Sequence, residues 1–313
     1  MRVLLTGADG FGGGWLARRL VAAGWEVTGT RRPGVMQSSV LDPAEVARLH
    51  WRELELESAA SVAEAARGAW DVVFHLAAVS SGTEARSDPG RAWVVNAAGT
   101  ARLAEALAAG RPGADPLLVV VSTAEVYGRG DGTPHRETDP LEPCSPYAAS
   151  KLGAEIAAEE VGRRTGLRVI IVRPFPHTGP GQDVRFVVPA LAGRLVAARR
   201  LEAPGIKAGN VDVVRDFLDV RDAVAGYQMV AERGVPGSVY NVASGTGLAI
   251  AEVARRLMRL LDWNVAIETD ARLVRGSDIS HLVGDSSRLR QLGWTPSIPF
   301  DQTLADLVNA QTH

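Results

Sequence analysis

A chain of 313 residues, 46% hydrophobic and 22% charged, carries enough apolar material to bury one large core or two joined ones. Its 34 basic and 36 acidic residues leave a formal charge of −2, so no global field draws it to nucleic acid or to a membrane surface; small anions need only local positive charge. The single cysteine, Cys144, excludes an internal disulfide and a thiolate zinc cluster, and a reducing cytoplasm is the expected compartment.

The opening MRVLLTGADGFGGG has a short apolar run that enters a glycine loop at once, unlike a signal peptide. No stretch approaches the roughly 20 apolar residues that a membrane span needs. Short apolar runs then alternate with helical patterns. Strands are expected at Arg2 to Thr6, Glu26 to Thr30, Trp51 to Leu54, Asp71 to Leu76, Leu117 to Ser122 and Leu167 to Val172. Helices are expected at Trp15 to Ala23 and Ala92 to Ala109. This alternation predicts an α/β fold, a doubly wound parallel Rossmann sheet over residues 1–173. After Arg173 a Pro/Gly-rich segment, PFPHTGPGQ, leads to a helix near Val187 to Arg199 and further short elements. Residues 174–313 are expected to form mainly a smaller, substrate-binding C-terminal lobe, with part of 209–245 returning to the sheet.

Directly after the first strand, Gly7, Gly10 and Gly13 stand three apart, with Phe11 and Gly12 between them and Leu16 and Leu20 on one helical face beyond. Glycines let the backbone turn sharply and approach a pyrophosphate, and the helix N-terminus offers N–H donors and a positive dipole. The pattern predicts a dinucleotide site. At the end of the second strand, where an acidic residue would select NAD(H), the chain reads GTRRPG. Arg31 and Arg32 there can pair with a 2′-phosphate, which favours NADP(H), with NAD(H) possible; the alternative is two solvated surface arginines. Glu55 and Leu56 are placed to meet the adenine, and Leu76, Ala77 and Ala78 end the fourth strand with small groups against which a cofactor can lie. His75 reads as packing rather than catalysis, and Asn96 as a side-chain anchor for the active-site helix or a plain helix position.

The fifth strand runs out into VVVSTAEVYG, and SPYAASK follows some twenty residues later, with Pro146 suited to a first helical turn. Tyr147 and Lys151 are four apart on one helix face. A nearby ammonium is expected to lower the phenol pKa and make Tyr147 an acid or base near neutrality. Thr123 can hydrogen-bond the oxygen whose carbon gains or loses hydride. His177, in the Pro/Gly-rich loop, is more often a structural residue, Cys144 a packing residue, and the histidines have no metal-ligand spacing, so no metal is expected.

Together the glycine loop, the Ser-Thr strand end and YxxxK resemble the extended short-chain dehydrogenase/reductase family over essentially the whole chain. The resemblance implies that Tyr147 gives or takes the proton, Lys151 binds the nicotinamide ribose, and Thr123 holds the substrate oxygen. RPFPHTGPGQ, FVVPALA, GNVDVVRDFLDVRDAV and above all LVGDSSRLRQLGWTPSIPFDQTLADL look most like its branch of GDP-mannose 4,6-dehydratases and GDP-4-keto-6-deoxy-mannose reductases. That implies a GDP-linked sugar substrate, NADPH reducing a carbon-4 ketone to give GDP-rhamnose, and a homodimer paired through the helix of Tyr147 and its neighbour. Substrate contacts are expected from Ser80, Thr123, Glu125, Val187 and Arg215, the last on the diphosphate. Arg275 and Asp278 are expected at the nucleoside or phosphate end, or in a surface ion pair. Pro176 stands where the family has a substrate-binding asparagine, and Gly276 replaces a usual proline. Glu125 also supplies the carboxyl that a dehydratase needs beside the threonine, so a dehydratase or epimerase is the alternative activity. A silent cofactor-binding protein is the third.

Overall fold

The computed structural model describes residues 1–34, 38, 40–110, 115–273 and 279–312. Strands β1 (Arg2–Thr6), β2 (Glu26–Arg31), β3 (His50–Glu53), β4 (Val72–His75), β5 (Leu117–Val121), β6 (Arg168–Pro174) and β7 (Val239–Val242) form one sheet. Their order is β7-β6-β5-β4-β1-β2-β3, and every neighbouring pair is parallel. The order reverses between β1 and β4, which opens a crevice at the carboxyl ends of those strands.

The central strands β1, β4, β5 and β6 are largely apolar without alternation because both faces are covered. Val3 and Leu5 of β1, Phe74 of β4 and Val119 of β5 pack against helices Phe11–Ala22 and Val220–Arg233. Leu4, Val73, Leu118 and Val120, one residue out of phase, face helices Ala59–Ala66, Gly99–Ala108 and Pro146–Thr165. The expected doubly wound sheet is present. A separate apolar core joins helices Val187–Arg200, Ile250–Leu261 and Phe300–Thr312 into a second, smaller lobe. Its short strand Val214–Asp216 is tied to neighbouring loops by the buried Asp216 carboxylate, which accepts N–H bonds from Ser244, Gly245 and Gly284 at 2.9, 2.9 and 3.2 Å.

Two features depart from the elements expected above. β7 is not named among the strand candidates, although it lies within the 209–245 stretch expected to return to the sheet, and it adds Tyr240 and Val242 to the core. The helix expected over Ala92 to Ala109 is broken into Pro89–Trp93, a π turn at Val94–Ala98, and Gly99–Ala108. The extra residue in that turn does not disturb the apolar spacing enough to be read from sequence. Among the described residues no helix is long and apolar enough to cross a membrane.

Candidate active site

The glycine loop is built as a close backbone approach. Gly7 has φ +72°, and a Cβ there would sit 2.9 Å from the Ala77 amide nitrogen; a Cβ on Gly13 would fall 1.9 Å from the Gly7 carbonyl. Neither position can carry a side chain without a backbone shift. Gly10 caps helix Phe11–Ala22 with no side-chain hydrogen bond, so the first-turn N–H groups keep their capacity for an anion. The Thr30 hydroxyl and carbonyl hold the loop through Gly7 N–H (3.2 Å) and Ala8 N–H (3.1 Å). This cradle fits a dinucleotide pyrophosphate on its own geometry. Leu76 and Ala77 donate their N–H groups to the Thr6 hydroxyl, both at 3.1 Å, so the end of β4 is fastened to the end of β1 beside the loop.

His75 sits inside this fastening. Its Nδ1 is 2.8 Å from the Thr6 hydroxyl and its Nε2 is 3.0 Å from the Thr100 hydroxyl, which donates to the Asn96 carbonyl at 2.6 Å. Thr100 therefore accepts from Nε2–H, and Nδ1 accepts from Thr6, the pattern of a neutral ring. Burial, reinforced by the Lys151 charge, pushes the imidazole down to about 3. It is a structural post.

Asn96 lies in the π turn and is buried. Its Oδ1 accepts from Val79 N–H at 2.8 Å, while Nδ2 donates to the Val79 carbonyl (3.1 Å) and to the Ser150 hydroxyl (2.9 Å). Ser150 in turn donates to the Tyr147 carbonyl at 2.8 Å. The asparagine thus ties the loop after β4 to the first turn of helix Pro146–Thr165. That helix starts as expected, with Pro146 in its first turn and the Ser145 hydroxyl accepting from Ala148 N–H at 3.1 Å.

Tyr147 and Lys151 project from one face of this helix toward the end of β5. Lys151 is 4% exposed, and its ammonium donates to the Val121 carbonyl. Burial lowers its pKa to about 8, and the neighbouring Glu155 carboxylate opposes the fall. Tyr147 behaves differently from the sequence expectation: its phenol is raised, not lowered. Burial is the main cause and the Glu125 charge adds to it, while a hydrogen bond with the Thr123 side chain pulls the other way. Lys151 is not among the groups that move it. The amine is turned to the strand carbonyl, and desolvation of the phenolate outweighs a cation one helical turn away. Thr123 itself is oriented by accepting Glu125 N–H at 3.2 Å, and Ser145 donates to the Glu125 carboxylate at 3.4 Å.

The remaining expected residues lie on separate elements. Arg31 ends β2 with its guanidinium 5.8 Å from the Trp51 ring, and Arg32 is exposed beyond it. Both charges act on Asp9, a loop carboxyl that burial raises and that the sequence reading passed over. Glu55 donates its N–H to Ser61 at 2.9 Å; Leu56 is buried, with its carbonyl accepting from Arg102 at 2.9 Å; Ala78 is partly buried. Phe11 lies nearly parallel to the His177 ring at 6.3 Å, and Gly12 faces Leu76. Ser80 and Val187 are exposed, and the Pro176 carbonyl accepts from Leu218 N–H at 2.9 Å. Arg215 lies in strand Val214–Asp216 and donates to the Val214 carbonyl at 2.9 Å. Arg275 and Asp278 lie outside the described residues.

The GDP-mannose 4,6-dehydratase family model matches residues 4–307. The chain belongs to this family. It is also similar to the GDP-6-deoxy-D-mannose reductase of Pseudomonas aeruginosa, 33% identical over 98% of this chain and 96% of that protein. Among solved structures, RMD from Pseudomonas aeruginosa complexed with NADPH superposes with a TM-score of 0.85 at 31% identity, covering 99% of this chain and 98% of the other. The UDP-glucose 4-epimerase of Thermus thermophilus, in complex with NAD, gives 0.87 at 27% identity, covering 100% and 99%. Membership in the GDP-mannose 4,6-dehydratase family makes the chain an extended short-chain dehydrogenase/reductase enzyme with a nicotinamide dinucleotide site.

The depressed lysine has a measurable consequence. The unfolded chain holds the Lys151 proton up to the ordinary value of 10.5, the folded chain only to about 8. Between those values the unfolded state binds more protons, so stability rises with pH, and at neutral pH the buried charge is a cost. Lys151→Met is expected to raise the unfolding free energy at pH 7 by on the order of 1–2 kcal/mol, with the gain shrinking as pH approaches 10. Urea unfolding curves at the two pH values measure this, and a variant less stable than the parent at pH 7 would contradict it.

Proposed function

We propose that the chain is an NADP(H)-dependent reductase of a nucleotide-linked 4-keto-6-deoxy sugar, with GDP-4-keto-6-deoxy-mannose as substrate and GDP-rhamnose as product. The carrying observation is the gathering of Thr123 and the Tyr147 phenol at the end of β5, where the Val121 carbonyl binds the Lys151 amine, in a chain whose first strand runs into a dinucleotide cradle. Similarity to a GDP-6-deoxy-D-mannose reductase over nearly the full length supports the substrate class. In this reading residues 1–173 hold the cofactor, and 174–313 supply mainly the sugar-nucleotide contacts.

Bound NADPH would supply the hydride for carbon 4 of the sugar. Thr123 holds the ketone oxygen, and Tyr147 delivers its proton to that oxygen as the carbon is reduced, so ketone, hydride and proton give the alcohol. The raised phenol suits this direction, because Tyr147 is protonated throughout the neutral range. Lys151 would hold the nicotinamide ribose. Gly7, Gly10, Phe11, Gly12 and Gly13 would receive the pyrophosphate, Arg31 and Arg32 the 2′-phosphate, and Glu55 and Leu56 the adenine, with the cofactor lying against Leu76, Ala77 and Ala78. Arg215 takes the substrate diphosphate.

A second reading has one specific observation behind it. The Glu125 carboxylate is close enough to act on the Tyr147 phenol, where a dehydratase keeps the group that removes the carbon-5 proton. A dehydratase or epimerase returns its hydride within one turnover and can keep its cofactor; a reductase exchanges it every cycle.

Incubation with GDP-4-keto-6-deoxy-mannose is therefore expected to consume NADPH stoichiometrically, and Tyr147→Phe to slow this by about 10²–10⁴-fold. Stoichiometric dinucleotide bound to the purified protein, with no NADPH consumed, would refute the reductase reading. Replacing both Arg31 and Arg32 with alanine is expected to weaken NADPH by about tenfold or more while sparing NADH; equal loss for both cofactors removes the 2′-phosphate assignment. Trp93, Val94 and Ile156 are exposed on helices Pro89–Trp93 and Pro146–Thr165 and the turn between them, a patch suited to pairing two copies. Sedimentation as a dimer is expected, reverting to monomer in Trp93→Glu/Ile156→Glu; a monomeric parent chain contradicts it.

A further inference from the structure

Behind the active site lies a buried ion pair that the proposed chemistry does not use. Glu155 stands one helical turn beyond Lys151 on the same face of helix Pro146–Thr165, so Tyr147, Lys151 and Glu155 form a single row. Its side chain is 3% exposed and that of Arg173, the penultimate residue of β6, is 4% exposed. The Arg173 Nε reaches both Glu155 oxygens at 3.1 and 3.2 Å and one terminal nitrogen reaches Oε2 at 2.7 Å. The Ser122 hydroxyl donates to the other oxygen, Oε1. The second terminal nitrogen of Arg173 donates to the Tyr127 hydroxyl at 3.1 Å, which donates to Asn241 of β7 at 2.6 Å.

Burying two charges is expensive, and an apolar pair of the same volume is often no less stable. Stability alone is therefore a weak reason for this arrangement. Its position supplies a better one. Ser122 follows Val121, whose carbonyl holds the Lys151 amine, so the carboxylate is fixed to the same strand end that the amine binds. We propose that Glu155, clamped by Arg173 and Ser122, is a positioning residue that places a fixed negative charge by the strand end where Val121 binds the Lys151 amine, and so favours the charged amine. The other groups around that amine are poorly suited to the task. His75 of β4 is neutral, Tyr147 on the same helix is protonated, Glu125 acts on the phenol, and Arg173 of β6 carries the wrong sign. Glu155 is the carboxylate that offsets the desolvation of Lys151. The consequence for catalysis rests on the reading of Lys151 as the ribose-binding amine; the proposal itself concerns the free protein.

The chain contains only two lysines, Lys151 and Lys207, so the amine can be followed directly. Protein labelled with ¹³C,¹⁵N-lysine gives two side-chain signals, assigned with Lys207→Arg, and the Lys151 Cε shift against pH reads its protonation. The parent is expected to titrate near 8. Glu155→Gln is expected to move that midpoint down by about one pH unit or more. Should the unpaired Arg173 prevent folding, Glu155→Gln/Arg173→Gln removes both charges and is expected to shift the midpoint in the same direction. Loosened packing that admitted water would instead move it up, toward an ordinary lysine. A midpoint unchanged or raised in the folded variants overturns the proposal. NADPH binding, read by energy transfer from tryptophan, is expected to weaken at a correspondingly lower pH in the variants. A lowered midpoint without that change supports the role of Glu155 and instead refutes Lys151 as the cofactor contact.

Discussion

A cation that the fold takes out of water organises this site. The Lys151 ammonium loses nearly all of its hydration, and a carbonyl at the end of β5 and a carboxylate one helical turn away replace part of it. In a low-dielectric setting the positions of these partners decide whether the amine is charged at all. The site therefore cannot be built from a lysine on a surface helix. It requires the helix to be docked in register against the strand ends, and much of the surrounding polar network serves that docking.

Two ties hold the docked helix. Asn96, turned inward by the π turn, fastens its first turn through Ser150, and the Glu155–Arg173 pair fastens its third through β6. The glycine loop is fixed separately, by Thr30 of β2 and by the contact of Gly7 with the end of β4. The two halves of the crevice meet where β1 and β4 lie side by side, the point at which a doubly wound sheet leaves room for a ligand. Asp216 performs a similar task in the smaller lobe, using one buried carboxylate to gather three backbone amides around the strand that carries Arg215.

Features confined to one turn or one strand were legible in the sequence. Gly7, Gly10 and Gly13 follow a strand and open a helix, and Tyr147 and Lys151 share a helix face by spacing alone. The seven-stranded core was legible as far as β6, because each apolar run is bounded by turn residues. What escaped depends on partners distant in the chain. Arg173 lies 18 residues from Glu155, and Tyr127 lies 114 from Asn241, so neither contact has a local signature. Glu155 could have been noticed as the next residue in the Tyr147–Lys151 row, but nothing local says that it is buried. The direction of the Tyr147 shift was misread for the same reason: spacing shows a nearby cation but not the desolvation that outweighs it.

The most direct test of this account is a crystal structure of the protein with NADPH and a nucleoside diphosphate. The account predicts the Tyr147 hydroxyl and the Lys151 amine at hydrogen-bonding distance from the nicotinamide ribose, with Thr123 across from the nicotinamide ring. A bound cofactor whose nicotinamide end lies elsewhere, with those three side chains turned from it, would contradict it.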